Sequence, residues 1–188
     1  MAKSGLAPSA LDAQLSPLVG APRWYVGFSG GLDSTVLLHL LQRWCRDHPQ
    51  APELVAIHIN HGLQAAADDW QLHCEWVCRM LDIPLVCACA AVERGSAGLE
   101  AAARKARYEL FETQLQDGEV LFLAHHLDDQ VETFFLRLLR GSGINGLAAM
   151  PAARTLGSGS LARPLLEIPR SRLEAYAGAQ GLTWVEDP

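Results

Sequence analysis

The chain has 188 residues, 49% of them apolar, and a formal net charge of −6, so it is globular and long enough to bury a proper core. No apolar run approaches the roughly 20 residues of a membrane span, and residues 1–20 lack the basic-then-apolar layout of a secretory signal, so a cytoplasmic location is expected. The acidic balance excludes a binder that grips nucleic acid by charge alone, and any such contact must be local.

Pro8, Pro17, Gly20 and Pro22 bound a short helix over 9–15 that turns into the first strand. Mostly apolar runs at 23–28, 53–59, 84–89 and 119–124 predict strands buried on both faces of a parallel sheet. Helical patterns occupy 32–45, 66–81, 99–115 and 128–140. This alternation predicts right-handed crossovers and an α/β fold, a doubly wound, mostly parallel, Rossmann-like sheet. Beyond Arg140, Gly141-Ser142-Gly143 and Gly157-Ser158-Gly159-Ser160 bracket an expected loop. Arg163-Pro164-Leu165-Leu166, a helix over 171–180 and a short strand over 183–185 follow. The five cysteines are odd in number and none has C-x-x-C spacing, so reduced thiols are expected rather than a zinc ribbon or redox motif.

Sheets of this kind bind ligands beyond the carboxyl ends of their strands, and unusual polar residues collect there. Ser29-Gly30-Gly31-Leu32-Asp33-Ser34 follows the first strand and opens a helix. Unpaired backbone N–H groups and the positive end of a helix dipole converge on such a turn, which suits a nucleotide phosphate. The string is neither a Walker loop nor a dinucleotide fingerprint. His58-Ile59-Asn60-His61 ends the second strand, where a histidine has either a hydrogen-bonded structural role or a catalytic one. His125-His126-Leu127-Asp128-Asp129 follows the fourth.

In the helix from Asp128, Val131, Phe134, Phe135, Leu138 and Leu139 keep a 3.6-residue period, which leaves the first-turn carboxylates free to face a cleft. Asp129 and Glu132, three apart, read as a capping box. With Asp128 they read equally as contacts for Mg²⁺ accompanying ATP, or for an ammonium group. The histidines supply no three convincing zinc ligands. Glu100 and Arg104 are four apart, the spacing of a helix-surface ion pair, while Arg104, Lys105 and Arg107 together form a cation patch for polyphosphate or RNA.

The loop resembles that of the N-type ATP pyrophosphatases, and the strings in order resemble the tRNA(Ile)-lysidine synthetase family. They are Ser29 to Ser34; His58-Ile59-Asn60-His61-Gly62-Leu63; Leu99-Glu100 with Arg104, Arg107 and Tyr108; and His125 through Thr133. Arg140-Gly141-Ser142-Gly143 with Gly146-Leu147, Arg163-Pro164-Leu165-Leu166 and Trp184-Val185-Glu186-Asp187-Pro188 complete them. The resemblance implies a PP-loop ATP pyrophosphatase fold, with residues 1–21 an N-terminal extension and 22–188 the ATP-binding catalytic domain. It implies a ligase that uses ATP and Mg²⁺ to adenylate the C2 oxygen of the wobble cytidine in CAU-anticodon tRNA(Ile). The ε-amine of L-lysine then displaces AMP. ATP contacts are implied at Ser29, Gly30, Gly31, Leu32, Asp33, Ser34, His58 and Asn60. Catalytic roles fall to Asp33, His126, Asp129 and Glu132, tRNA or lysine contacts to Arg104, Arg107, Asp128, Asp129 and Glu132, and Mg²⁺ to Asp33 and Asp129.

Lysine's amine, of pKa about 10.4, must lose a proton that withholds it at neutral pH by roughly 4 to 5 kcal/mol, and His126, Asp129 or Glu132 could accept it. Gln64 stands where the family usually has Arg, which weakens any RNA role for that loop. The ending at Pro188 reads as a catalytic domain cut short, or a minimal member. A rival tRNA 2-thiocytidine enzyme would need a C-x-x-C pair that Cys74-x-x-x-Cys78 does not supply, and a non-catalytic ATP-binding module is the rival of another class. Oligomeric state is left open, a homodimer included.

Overall fold

The computed structural model describes residues 5–60, 67–89, 99–140 and 149–186. The motif residues His61, Gly62, Leu63, Gln64, Gly141, Ser142, Gly143, Gly146, Leu147, Asp187 and Pro188, and the side chains of Leu99 and Glu100, lie outside the described residues.

Six strands, β1 (Arg23–Gly27), β2 (Glu53–Asn60), β3 (Leu85–Cys89), β4 (Val120–Phe122), β5 (Ala153–Leu156) and β6 (Gly159–Ala162), form one sheet in the order β3-β2-β1-β4-β6-β5. Every neighbouring pair is parallel except β5 with β6. The helices are α1 (Asp12–Leu15), α2 (Leu32–Asp47), α3 (Ala67–Leu81), α4 (Leu99–Gln114), α5 (Leu127–Leu139) and α6 (Arg170–Gln180). Among the described residues no helix is long and apolar enough to cross a membrane. The doubly wound α/β reading holds, and the expected helices from residue 32 onward and the first four strands agree with these bounds to within two residues, while the helix expected over 9–15 is a 3₁₀ turn at Pro8–Leu11 that runs into α1.

The core follows from the period-2 pleat of β1. Trp24 and Val26 face a cluster with α2 and α6, while Tyr25 faces the opposite cluster with Phe111 of α4 and Leu115 just beyond it. Trp24 meets Trp44 at 5.4 Å and Phe122 edge-on at 5.1 Å between ring centroids. Both indole N–H groups reach the N-terminal segment: Trp24 Nε1 donates to the Leu18 carbonyl at 3.1 Å, and Trp44 Nε1 to Asp12 Oδ1 at 2.7 Å. Leu6, Leu11 and Leu15 are buried in the same cluster, so the segment before β1 is packed into the core.

Three expectations are corrected. The segment between the two Gly/Ser stretches, expected as a loop, carries β5, and 157–160 turns it into β6 as a hairpin. Leu156 pairs with Gly159 across the two-residue turn Gly157-Ser158, and Gly157 has φ +55°, as such tight turns require. Residues 183–185 form no strand: β1 is already paired on both sides, and Val185 N–H donates instead to the Gly30 carbonyl at 2.9 Å. Finally, α5 buries none of its residues; Val131, Phe134, Phe135, Leu138 and Leu139 are 38–82% exposed. Its first turn is tied down by polar bonds, with Leu127 N–H donating to the Ile168 carbonyl at 3.1 Å and the Gln130 amide exchanging two bonds with the Met150 backbone at 2.7 and 2.9 Å.

Candidate active site

From β1 the chain runs outward to β2 and β3, then returns to β4 on the other side of β1. Strand order reverses between β1 and β4, and a cleft of about 470 Å³ opens there, at the strand ends where such sheets hold ligands.

One wall is the β1–α2 turn. Gly30 has φ +84°, a left-handed conformation that favours glycine, and a Cβ there would lie 3.0 Å from Cys74 Sγ. The turn is held by its own serines. Gly31 N–H donates to Ser29 Oγ at 3.3 Å, and Ser34 Oγ donates to the Gly31 carbonyl at 3.1 Å. The two hydroxyl oxygens are 3.0 Å apart, and Ser29 is the donor because the proton of Ser34 is already committed. No side chain caps α2, so the first-turn amides of Leu32, Asp33 and Ser34 remain available to an anion.

Asp33 sits at the base of this wall. Burial raises its carboxyl above the ordinary range, because the desolvation cost exceeds the relief supplied by His126 and Arg170. Its Oδ1 is buried without a hydrogen-bond partner, the nearest cation being Arg170 Nε at 3.9 Å. His126, 5% exposed, has Nε2 3.5 Å from Asp33 Oδ2 and Nδ1 3.6–3.7 Å from Asp129 and Asp128. His126 is the N-cap of α5, and its N–H donates to Asp129 Oδ2 at 2.8 Å. The capping interaction therefore runs from Asp129 back to His126, and Glu132 takes no part in it.

The second strand's histidine is a strap. His58 Nδ1–H donates to the Phe28 carbonyl at 2.9 Å, fixing the end of β1, and burial lowers its pKa. Asn60 Nδ2 donates to Gln71 Oε1 at 3.2 Å. From α4, Arg104 and Arg107 line the cleft, and Arg104 and Arg154 stack on Tyr108 with Cζ 5.3 and 5.2 Å from the ring centroid.

Of the residues singled out from the sequence, Ser29, Gly31, Asp33, Ser34, His58, Asn60, Arg104, Arg107 and Asp129 share the cleft lining. Gly30 and Leu32 lie in the turn behind it, and His126 lies behind the two aspartates. Asp128 is exposed and accepts the Arg170 N–H at 2.9 Å, while Glu132 is exposed one turn further along α5, outside the lining. Trp70, Arg163 and Arg170 were assigned no role from the sequence. Arg163 had a signal in the Arg-Pro-Leu-Leu string, whereas Trp70 and Arg170 had none. The cysteines are free: burial pushes Cys74 and Cys78 up to about 12, and Cys87 and Cys89 are exposed. Among the described residues no group of three His, Cys, Asp or Glu side chains is arranged to hold a metal.

Residues 8–188 match the family model of the PP-loop domain. The chain belongs to the PP-loop domain family. This PP-loop chain is 58% identical over 174 residues to the tRNA(Ile)-lysidine synthase of Pseudomonas putida, covering 93% of this chain and 40% of that protein. It is 56% identical over 180 residues to that of Pseudomonas aeruginosa, covering 96% and 40%. The chain thus spans 40% of the length of these curated relatives. Among solved structures it is similar to the U34-tRNA thiolase of Methanococcus maripaludis, solved with its 4Fe-4S cluster. The TM-score is 0.74 at 19% identity, over 96% of this chain and 65% of that one, a likeness of fold.

Proposed function

We propose that this chain is the ATP-dependent catalytic part of a tRNA(Ile)-lysidine synthase acting in the cytoplasm. The C2 oxygen of the wobble cytidine in CAU-anticodon tRNA(Ile) attacks the α-phosphorus of ATP and expels pyrophosphate. The ε-amine of L-lysine then attacks C2, the C2–O bond breaks, and that oxygen leaves with AMP. The observation that carries the reading is the uncapped α2 N-terminus at a cleft that Arg104, Arg107 and Asp129 also line. The name shared by relatives at 45–58% identity supports it.

In this reading the Leu32–Ser34 amides and the Ser29 and Ser34 hydroxyls hold the β and γ phosphates and stabilise charge on the departing pyrophosphate. Asp33 and Asp129 suit Mg²⁺, since Asp33 Oδ1 is a buried carboxylate oxygen that no protein donor satisfies, and the ion typically takes one or two carboxylates beside phosphate oxygens. Bound there, Mg²⁺ would add further neutralisation of phosphate charge. Asp129, in the cleft lining with His126 Nδ1 3.6 Å behind it, is best placed to take the ammonium proton of lysine. Asp128 and Glu132 would attract that ammonium from the rim.

The test is pyrophosphate release with Mg-ATP, lysine and CAU-anticodon tRNA(Ile), beside the same tRNA with its wobble cytidine replaced. Release that requires the cytidine, with labelled lysine entering the RNA, is expected. ATP bound but left intact in the presence of both substrates would favour a non-catalytic binding module.

A further inference from the structure

β4 and β6 lie side by side, and the chain leaving each delivers one residue to the same corner of the molecule: His125 beyond β4 and Arg163 beyond β6. Arg163 is 5% exposed, and its guanidinium is committed on two sides. Its Nη1 donates to the Pro151 carbonyl at 2.8 Å, and its Nε donates to His125 Nδ1 at 3.2 Å. Guanidinium nitrogens only donate, so the second bond has a single polarity. His125 Nδ1 must be bare, and the one proton of the neutral ring must then sit on Nε2.

Nε2 has no hydrogen-bond partner among the described residues, and His125 lines the cleft. The charged groups facing His125 are Arg163, Asp129 of α5, and Arg104 and Arg107 of α4, three cations against one carboxylate. Tyr108, Arg154 and Arg104 face Arg163 in turn. Burial first and Arg163 second drive the His125 pKa down to about 4, so the ring stays neutral through the physiological range. Its neighbour has the opposite surroundings, since both nitrogens of His126 face carboxylates.

We propose that Arg163 is a positioning residue that fixes His125 in the Nε2–H tautomer, so that His125 serves the cleft as a neutral hydrogen-bond donor to a phosphate oxygen of the bound nucleotide. This rests on the ATP-dependent reading above. It gives His125 a different task from the proton-accepting carboxylate: it contributes a fixed dipole where phosphate charge develops, and it neither gains nor loses a proton in the cycle.

The tautomer is read directly from long-range ¹H–¹⁵N spectra of histidine-labelled protein, with His125 assigned by its loss in His125→Gln. The expected result is an unprotonated Nδ1 and a protonated Nε2 from pH 6 to 8, with the Nε2–H signal moving downfield on addition of Mg-ATP. Arg163→Met should release the tautomer and Arg163→Lys should restore it in part. In pyrophosphate release, His125→Gln, which keeps an N–H donor, should fall about tenfold and His125→Ala about a hundredfold. A proton on Nδ1, an Nε2–H signal indifferent to Mg-ATP, or equal losses in the Gln and Ala variants would overturn the proposal. If the unsubstituted protein releases no pyrophosphate with tRNA, the lysidine reading fails, and the response of His125 Nε2–H to Mg-ATP then decides this proposal by itself.

Discussion

The two strand-to-helix corners that flank the point of strand-order reversal are built in opposite ways. At the β1–α2 corner the functional groups are backbone amides and two serine hydroxyls, and nine residues of the helix that carries them are buried. At the β4–α5 corner they are side-chain charges on a helix that buries nothing and is held through its first turn by Ile168, Met150 and Arg170. A phosphate site of the first kind comes from local chain geometry clamped by the core. One of the second kind depends on partners 20 to 42 residues away in sequence.

The sharpest way to break this contrast is to truncate one leucine on each helix. Leu38→Ala, at a position with no exposure, should cost about 2–5 kcal/mol of unfolding free energy, while Leu139→Ala, 82% exposed, should stay within about 0.5 kcal/mol. Urea titration checks both, and similar costs would mean that α5 is packed after all. Next in size is Gly30→Ala. Its Cβ would stand 3.0 Å from Cys74 Sγ and 3.3 Å from Val185 Cγ2 at φ +84°. Pyrophosphate release should fall on the order of a hundredfold as the loop donors are displaced, with a cost of only about 1–2 kcal/mol in stability.

The smallest effect is a gain. Because burial raises the folded pKa of Asp33 above its unfolded value, the folded state binds the extra proton between the two. Stability therefore falls as pH rises through that window, and the penalty is complete above it. Asp33→Asn should raise Tm slightly at pH 7 while abolishing pyrophosphate release, and its advantage should vanish below about pH 3.9, where both states are protonated. A lower Tm at pH 7 would mean that the contacts of Asp33 with His126 and Arg170 outweigh its burial.

The same contrast explains what could be read from the sequence. The β1–α2 corner was legible because its strand, glycine turn and helix are contiguous, and each obeys its own local rule. At the β4–α5 corner the residue types were legible but their partners were not. Asp129 caps His126 instead of pairing with Glu132, and His125 takes its tautomer from an arginine 38 residues away. That arginine follows a strand hidden by glycines and serines, where Gly157-Ser158 is a two-residue hairpin turn that resembles a loop in composition. The segment at 183–185 has strand-like residues, yet β1 has no free edge to accept it, a fact of sheet order that no local window contains.

We propose that the wobble cytidine's own C2 oxygen is the group adenylated between these two corners. It is tested most directly with CAU-anticodon tRNA(Ile) carrying ¹⁸O at that oxygen, turned over with Mg-ATP and lysine, followed by mass spectrometry of the released AMP. The label is expected in the AMP phosphate, in step with lysine incorporation. AMP free of label, or ADP in its place, would contradict it.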